Sequence, residues 1–166
     1  MILYHGTNTY FENIDLTKCN QYKDFGQAFY LTDQFDQASE VAKSRVEFFG
    51  GTSIILQFEF NETYLTDGTL TSKIFPAEYT DEWSDFIFLH RDETKVPPYM
   101  HSFDYVYGPI ANDRVGLQVR KFRNGEITKE QFRNKLHFMK GITMQYAFCT
   151  LKAIQLLTFK GHILCK

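Results

Sequence analysis

The chain has 166 residues, which predicts one domain over residues 1–166. A formal net charge of −2 excludes broad electrostatic attraction to nucleic acid or to an anionic membrane surface. Three cysteines without C-x-x-C spacing argue against a disulfide framework or a thiolate metal site. No apolar run approaches the roughly 20 residues of a membrane span. We therefore expect a cytoplasmic protein with no metal and no membrane association.

The first half of the chain predicts three strands and one helix. Residues 1–4 form a short apolar strand that ends at His5-Gly6, and residues 25–32 form a glycine turn that continues into an aromatic strand. Asp33 is the expected N-cap of a helix that Gly50-Gly51 ends. Residues 53–60 alternate in the manner of a half-buried strand.

The second half of the chain predicts a series of short elements. In chain order they are a helix over 76–91, a strand over 105–109, a helix from Thr128 to about Met139, a strand over 145–148, a helix over 151–157 and a strand over 159–164. Thr128 and Gln131 have the spacing of a capping box. Because strands and helices do not alternate regularly, the sequence predicts an α+β fold with a mainly antiparallel, split sheet and flanking helices.

Three stretches at predicted strand ends combine residues suited to ligand binding. They are His5-Gly6-Thr7, Phe25-Gly26 through Tyr30, and Gln145. Each has an ordinary structural alternative: a turn glycine, a core tyrosine or a polar strand edge. Their order along the chain is more informative than any one of them.

In that order the three stretches resemble the ADP-ribosyltransferase superfamily, in its diphtheria-toxin and poly(ADP-ribose)-polymerase-like class. That class carries a His, a Tyr and a third residue, most often Glu, on three separate strands. Its second motif runs Phe-Gly-x-Gly-x-Tyr-Phe-Ala-Asp, and residues 25–33 here are FGQAFYLTD. The opening LYHGT is similar to its first motif. The resemblance implies an ADP-ribosyltransferase-like split sheet with NAD as substrate.

The whole chain also resembles a bacterial branch of that superfamily known as a domain of unknown function. Four stretches carry this likeness, namely LYHGT, YKDFGQAFYLTDQFDQA, DYVYGPIANDR and QYAFCTLKAIQLL. Members of that branch look like the toxin half of toxin–antitoxin pairs, or like domains of larger ADP-ribosylating proteins. The resemblance therefore implies a small antitoxin protein as a partner.

The first motif would hold both halves of NAD. The Gly6 backbone N–H and C=O would pair with the nicotinamide carboxamide, since a residue without Cβ allows close approach. His5 would contact a ribose hydroxyl of the adenosine half, and Thr7 would add a hydroxyl contact.

The second and third motifs would surround the scissile bond. Tyr30 would stack on the nicotinamide ring, with Phe25 and Gly26 completing that side of the cofactor site. Gln145 would hydrogen-bond the 2′-hydroxyl of the nicotinamide ribose. Breaking the bond to nicotinamide builds oxocarbenium character on the ribose, which such contacts stabilise.

Two residues depart from the pattern of the class. Gln145 carries no charge and is not a base, so elongating poly(ADP-ribose) synthesis is not expected, and Asp113 is the first candidate to compensate. Val41 stands where the polymerase pattern has a second aromatic against nicotinamide. Asn112, beside Asp113, is a further candidate cofactor contact.

The sequence thus predicts an NAD-dependent mono-ADP-ribosyltransferase of the toxin type, with a macromolecular acceptor that is protein or nucleic acid. Two alternatives stay open: an NAD glycohydrolase, with water as acceptor, and a non-catalytic module that binds NAD or a protein partner. The substitution of Glu by Gln145 favours the second alternative. A locally basic run, 120–135, is either a partner surface or the solvated face of a helix.

Overall fold

Two β-sheets with flanking helices make up the molecule, whose structure is a computed structural model describing residues 1–112, 114–137 and 141–165. The described strands are β1 (Ile2–Thr7), β2 (Phe29–Leu31), β3 (Ile54–Glu59), β4 (Ser72–Ile74), β5 (Tyr105–Pro109), β6 (Met144–Phe148) and β7 (Thr158–Leu164). The described α-helices are α1 (Phe35–Phe49), α2 (Asp81–Arg91), α3 (Val115–Arg123), α4 (Lys129–Lys135) and α5 (Leu151–Ile154). The predicted α+β fold is confirmed.

The strands divide into a three-stranded sheet, ordered β1-β3-β7, and a four-stranded sheet, ordered β2-β6-β5-β4. β4 and β5 pair in parallel, and the other described pairs are antiparallel. The predicted mainly antiparallel, split arrangement is therefore confirmed.

Two hydrophobic cores hold these layers together. The inter-sheet core is built by side chains from both sheets, among them Leu3, Phe29, Leu56, Tyr105 and Phe148. The helical core joins the four-stranded sheet to α2, α3 and α4, through Phe25, Trp83, Val106, Val119 and Phe132. Burying each such large apolar side chain contributes roughly 1.5–3 kcal/mol, so both cores are substantial.

Several predicted boundaries shift, for local reasons. β1 extends to Thr7 because residues 5–7 also pair with β3, so the predicted end at Tyr4 was wrong. Asp33 is not the N-cap of α1; Gln34 holds that position, and the Asp33 carboxylate accepts a hydrogen bond from Tyr146 instead. Gly50, at φ 73°, ends α1 as predicted.

The helices of the second half also begin and end differently. α2 starts at Asp81 rather than at residue 76, because the Thr80 hydroxyl accepts a hydrogen bond from the Trp83 N–H and caps the helix there. The Thr128–Gln131 capping box is confirmed, and α4 ends at Lys135, while the predicted end at Met139 lies outside the described residues. The predictions included neither β4 nor α3.

Candidate functional site

The first and second strands meet at one point and then separate. Tyr4 of β1 and Thr32, just after β2, exchange both backbone hydrogen bonds, at 2.7 and 3.0 Å. This isolated bridge is the one recorded pairing of β1 with the β2 segment. Gly6 and Tyr30, each two residues from the bridge, therefore face a gap between the two sheets, which we call the β1–β2 gap.

The backbone of Gly6 points into this gap. Met1 and Phe60 exchange both N–H···O bonds, so hydrogen-bonded pairing with β3 falls on the odd-numbered residues of β1. Gly6 is even-numbered, like Tyr4, so its N–H and C=O point away from β3. Among the described residues neither group has a recorded partner across the gap. A donor and an acceptor thus stand side by side on one residue, the arrangement that an amide ligand requires.

Helix α1 packs directly on Gly6 and explains why no side chain is tolerated there. A Cβ at Gly6 would lie 2.0 Å from the Ala38 carbonyl oxygen and 2.9 Å from the Ala42 nitrogen. The glycine thus serves helix packing in a strand, rather than a turn. The Thr7 hydroxyl, by contrast, is hydrogen-bonded to the nearby backbone: Oγ1 donates to the Thr9 carbonyl and accepts from the Thr9 N–H.

His5 is half-buried on the opposite face of β1 from Gly6. Its ring packs 4.5 Å from the Phe29 ring, and its Nδ1 lies 2.9 Å from the Tyr30 carbonyl oxygen. Burial lowers the pKa of His5 to about 4, so the imidazole is neutral at pH 7. Since a carbonyl only accepts, Nδ1 carries the proton and Nε2 is left as an acceptor.

The Phe25–Tyr30 segment folds back on itself through the tyrosine hydroxyl. The Tyr30 hydroxyl donates to the Gly26 carbonyl at 2.8 Å and accepts from the Phe25 N–H at 3.0 Å. Burial and the nearby Asp24 carboxylate raise the pKa of Tyr30 well above its ordinary value, so the phenol stays protonated. Phe25 is fully buried in the helical core, where it stacks with Tyr30. Gly26 has φ 79°, which favours glycine.

Gln145 is buried and bonded to a carboxylate. Its Nε2 donates to Asp24 Oδ2 at 2.9 Å. The same oxygen accepts from the Ala111 N–H at 3.1 Å, and Asp24 Oδ1 pairs with Arg91 at 2.6–2.8 Å. Asp24 is 4% exposed and joins three parts of the chain at this point. Four N–H donors thus converge on the two oxygens of this one carboxylate.

Three predicted residues share one face of the strands. Tyr30 pairs with Ala147 of β6, and Gln145 lies two residues from Ala147, so both side chains project from the same face. Tyr4 and Thr32 are paired and so share a face. Gly6 and Tyr30 are each two residues from that pair, so the position of a side chain at Gly6 lies on the same face as Tyr30. His5 therefore reaches the gap from the other face.

The remaining predicted residues lie around this arrangement. Val41 lies on α1, the helix that covers Gly6, with its side chain 42% exposed. Asn112 is half-buried, donates to the His137 carbonyl and accepts from the Arg114 N–H. Asp113, the predicted compensating carboxylate, lies outside the described residues.

Two cavities of about 400 and 190 Å³ lie elsewhere. The larger is lined by Met1, by residues 59–64 and by residues at the start of β7, and the smaller by α2 and the segment around Pro97. Neither is lined by a predicted site residue. Over residues 1–112, 114–137 and 141–165, no group of three His, Cys, Asp or Glu side chains is arranged to hold a metal ion. No described helix is both long enough and apolar enough to cross a membrane.

Sequence reasoning missed the Asp24–Arg91 pair. Asp24 directly precedes Phe25-Gly26, so its place beside the second motif was visible. Its partners Arg91 and Gln145 are 67 and 121 positions away along the chain, and no local pattern joins them.

The family of the chain follows from a profile that matches residues 1–159 and is described as "Protein of unknown function (DUF3990)". The chain belongs to this DUF3990 family. No curated protein and no solved structure matches it.

Proposed function

We propose that this protein is an NAD-dependent mono-ADP-ribosyltransferase that modifies a macromolecular acceptor. The observation that carries the proposal is the outward-facing backbone of Gly6, across the β1–β2 gap from Tyr30. An N–H and a C=O on one residue match the carboxamide of nicotinamide, which has one acceptor and two donors. The resemblance of the LYHGT stretch to the first motif of that superfamily assigns the same role to Gly6.

The neighbouring residues support the proposal with suitable chemistry. The neutral His5 has Nε2 as an acceptor for a ribose hydroxyl, and Gln145 lies on the same face as Gly6 and Tyr30. In the reaction, the C–N bond breaks and its electron pair leaves on the nicotinamide nitrogen, while positive charge develops at the ribose carbon. The acceptor nucleophile bonds to that carbon and releases its proton to the solvent. The same resemblance supports a toxin that a small antitoxin protein restrains.

The test follows NAD labelled on its adenine half, incubated with the purified protein and a cell lysate. Gln145→Ala is the site variant, and Gln118→Ala is its matched control, since the two glutamines are 9% and 8% exposed. We expect label on a macromolecule with the wild-type protein and with Gln118→Ala, and at least a tenfold smaller amount, roughly, with Gln145→Ala.

Each other result selects an alternative. Label found only in free ADP-ribose identifies an NAD glycohydrolase. NAD that stays intact with every variant contradicts the proposal and favours the non-catalytic module. Equal loss of labelling in both glutamine variants means that stability, rather than the site, limits the signal, and Gln145 then has no special role.

A further inference from the structure

The carboxylate of Asp24 is fully engaged by donors. Oδ1 accepts from Nε and Nη2 of Arg91, and Oδ2 accepts from Gln145 Nε2 and the Ala111 N–H. Because N–H groups donate to both oxygens, the carboxylate acts as an acceptor throughout and offers no donor in return. The buried position of Asp24, at 4% exposure, keeps water from substituting for any of these partners.

This arrangement decides which way the Gln145 amide points. Were the amide flipped, its oxygen would lie 2.9 Å from Asp24 Oδ2, with two acceptors facing each other in a buried site. The nitrogen therefore faces Asp24 and the oxygen is turned away. The group that Gln145 presents to anything else is a hydrogen-bond acceptor.

We propose that Asp24 is a positioning residue that locks Gln145 with its carbonyl oxygen toward the substrate, so that the site selects a hydroxyl donor. The inference rests on the proposed function for the identity of that hydroxyl, which is on the ribose next to nicotinamide. Arg91 completes this arrangement, because its two N–H groups occupy the Asp24 oxygen that Gln145 does not use.

An asparagine at position 24 has one acceptor end and one donor end. The Arg91 guanidinium offers two N–H groups against the single backbone N–H of Ala111, so it takes the acceptor end. The amide nitrogen of the asparagine then turns toward Gln145, and the Ala111 N–H loses its acceptor. Gln145 then flips to accept from it and presents its own N–H₂ to the substrate. Asp24→Asn thus reverses the polarity of the site with almost no change in volume.

The first measurement is hydrogen exchange of the Gln145 side-chain amide by NMR, assigned through the Gln145→Ala variant. Asp92→Asn is the matched control, because Asp92 is also buried and also pairs with an arginine, Arg123, away from Gln145. We expect exchange about tenfold faster or more in Asp24→Asn, and unchanged exchange in Asp92→Asn. Unchanged exchange in Asp24→Asn overturns the proposal.

The second measurement is nicotinamide release from NAD by the same proteins. Asp24→Asn should lower kcat by about 10- to 100-fold, the range for removing a group that orients a functional side chain, while KM moves by less than about threefold. Full kcat in Asp24→Asn overturns the positioning role. If the wild-type protein releases no nicotinamide, the proposed function fails, and the exchange measurement alone decides whether Asp24 holds Gln145.

A double variant guards against loss of the fold. Asp24→Asn with Arg91→Gln supplies an acceptor for the amide nitrogen of the asparagine, so its oxygen can turn back to Gln145 and Ala111. Slow exchange and a kcat within about threefold of wild type in the double variant support the positioning role. Fast exchange in a folded double variant contradicts it.

Discussion

Two neighbouring residues at the end of α2 form ion pairs with different consequences. Arg91 pairs with Asp24 beside Gln145, whereas Asp92 pairs with Arg123 on α3. Both carboxylates are almost fully buried, at 4% and 3% exposure. The two pairs are thus alike in chemistry and burial, and differ in what else the carboxylate holds.

The difference lies in the second oxygen of each carboxylate. The Asp92 carboxylate accepts hydrogen bonds from Arg123 and from Thr94, two residues away. Burial acts to raise the pKa of Asp92, but these hydrogen bonds outweigh it and hold the pKa below its ordinary value. Asp24 binds a side chain of β6 and the backbone at Ala111 instead. One pair joins two helices, and the other joins the helices to the β1–β2 gap. Burial is therefore the same in the two pairs, and what distinguishes them is the set of partners that each carboxylate binds.

Removal of the carboxylate at each pair should give the largest effects. Asp24→Ala leaves Arg91, Gln145 and the Ala111 N–H without their acceptor, which should cost about 3–5 kcal/mol in the free energy of unfolding. Asp92→Ala should cost about 1–3 kcal/mol, since the Arg123 side chain is 33% exposed and water can replace its partner. Urea denaturation of both variants measures the difference, and equal losses would contradict it.

Alanine substitutions at two glycines should change stability in opposite directions. Gly6→Ala places a methyl group 2.0 Å from a backbone oxygen of α1, which should destabilise the fold by about 1–3 kcal/mol or more. Gly116→Ala, on α3, meets open space and should stabilise the fold by about 0.5–1 kcal/mol. Thermal unfolding of the two variants tests this, and a stable Gly6→Ala protein would mean that α1 does not approach β1 so closely.

Acid should weaken the fold through two histidines, His5 on β1 beside the β1–β2 gap and His90 on α2. Burial lowers the pKa of both His5 and His90 from 6.5 to about 4, and His90 Nε2 has no partner in the described part of the chain. The unfolded chain takes up these protons near pH 6.5 and the folded chain does not. Their contribution is therefore complete above pH 6.5 and is lost as the pH falls toward 4.

Single substitutions measure how much of that acid dependence comes from His5 and how much from His90. The slope of the unfolding free energy against pH is proportional to the number of protons taken up on unfolding. His5→Asn and His90→Asn should each lower that number by up to about one over this interval. Denaturant titrations at pH 7, 5.5 and 4.5 give the slopes. An unaltered slope in His5→Asn would show that His5 is solvated and charged in the folded protein.

The smallest expected effect concerns affinity at an exposed position. Val41→Tyr adds an aromatic ring on the helix beside Gly6, which should tighten NAD binding by about 0.5–1.5 kcal/mol. Leu117→Tyr, at a similarly exposed position on α3, is the control and should leave affinity unchanged. Calorimetric titration with NAD measures both. If both variants bound NAD more tightly, the gain would come from any exposed aromatic ring and not from a contact at position 41.

Much of the fold was predictable from periodicity. The alternation of residues 53–60 predicted β3 (Ile54–Glu59), and residues 105–109 coincide with β5. The prediction failed where structure depends on distant partners. β4 has three residues and exists through parallel pairing with β5, and α3 has no capping side chain at Arg114 and is held by Val115 and Val119 in the helical core.

The candidate site divides in the same way. His5, Tyr30 and Gln145 were named because each lies in a short motif, and the structure brings Tyr30 and Gln145 to one face while His5 reaches Tyr30 from the other. The pair of Asp24 with Arg91 depends on the path of the chain through α2, which no motif records. Asp113, predicted as the compensating carboxylate within the DYVYGPIANDR stretch, lies outside the described residues, and Asp24 is the carboxylate that accepts a hydrogen bond from Gln145.

The orientation of Gly6 has a consequence for how this family can change. The groups that Gly6 turns to the gap belong to the main chain, and they face it because Gly6 lies two positions from Tyr4, whose own N–H and C=O bond to Thr32. Deleting His5, the one residue between Tyr4 and Gly6, would turn the same glycine toward β3 and hide both groups, besides removing the imidazole. The number of residues after the Tyr4 bridge, and not a side chain, thus sets which backbone groups face the gap.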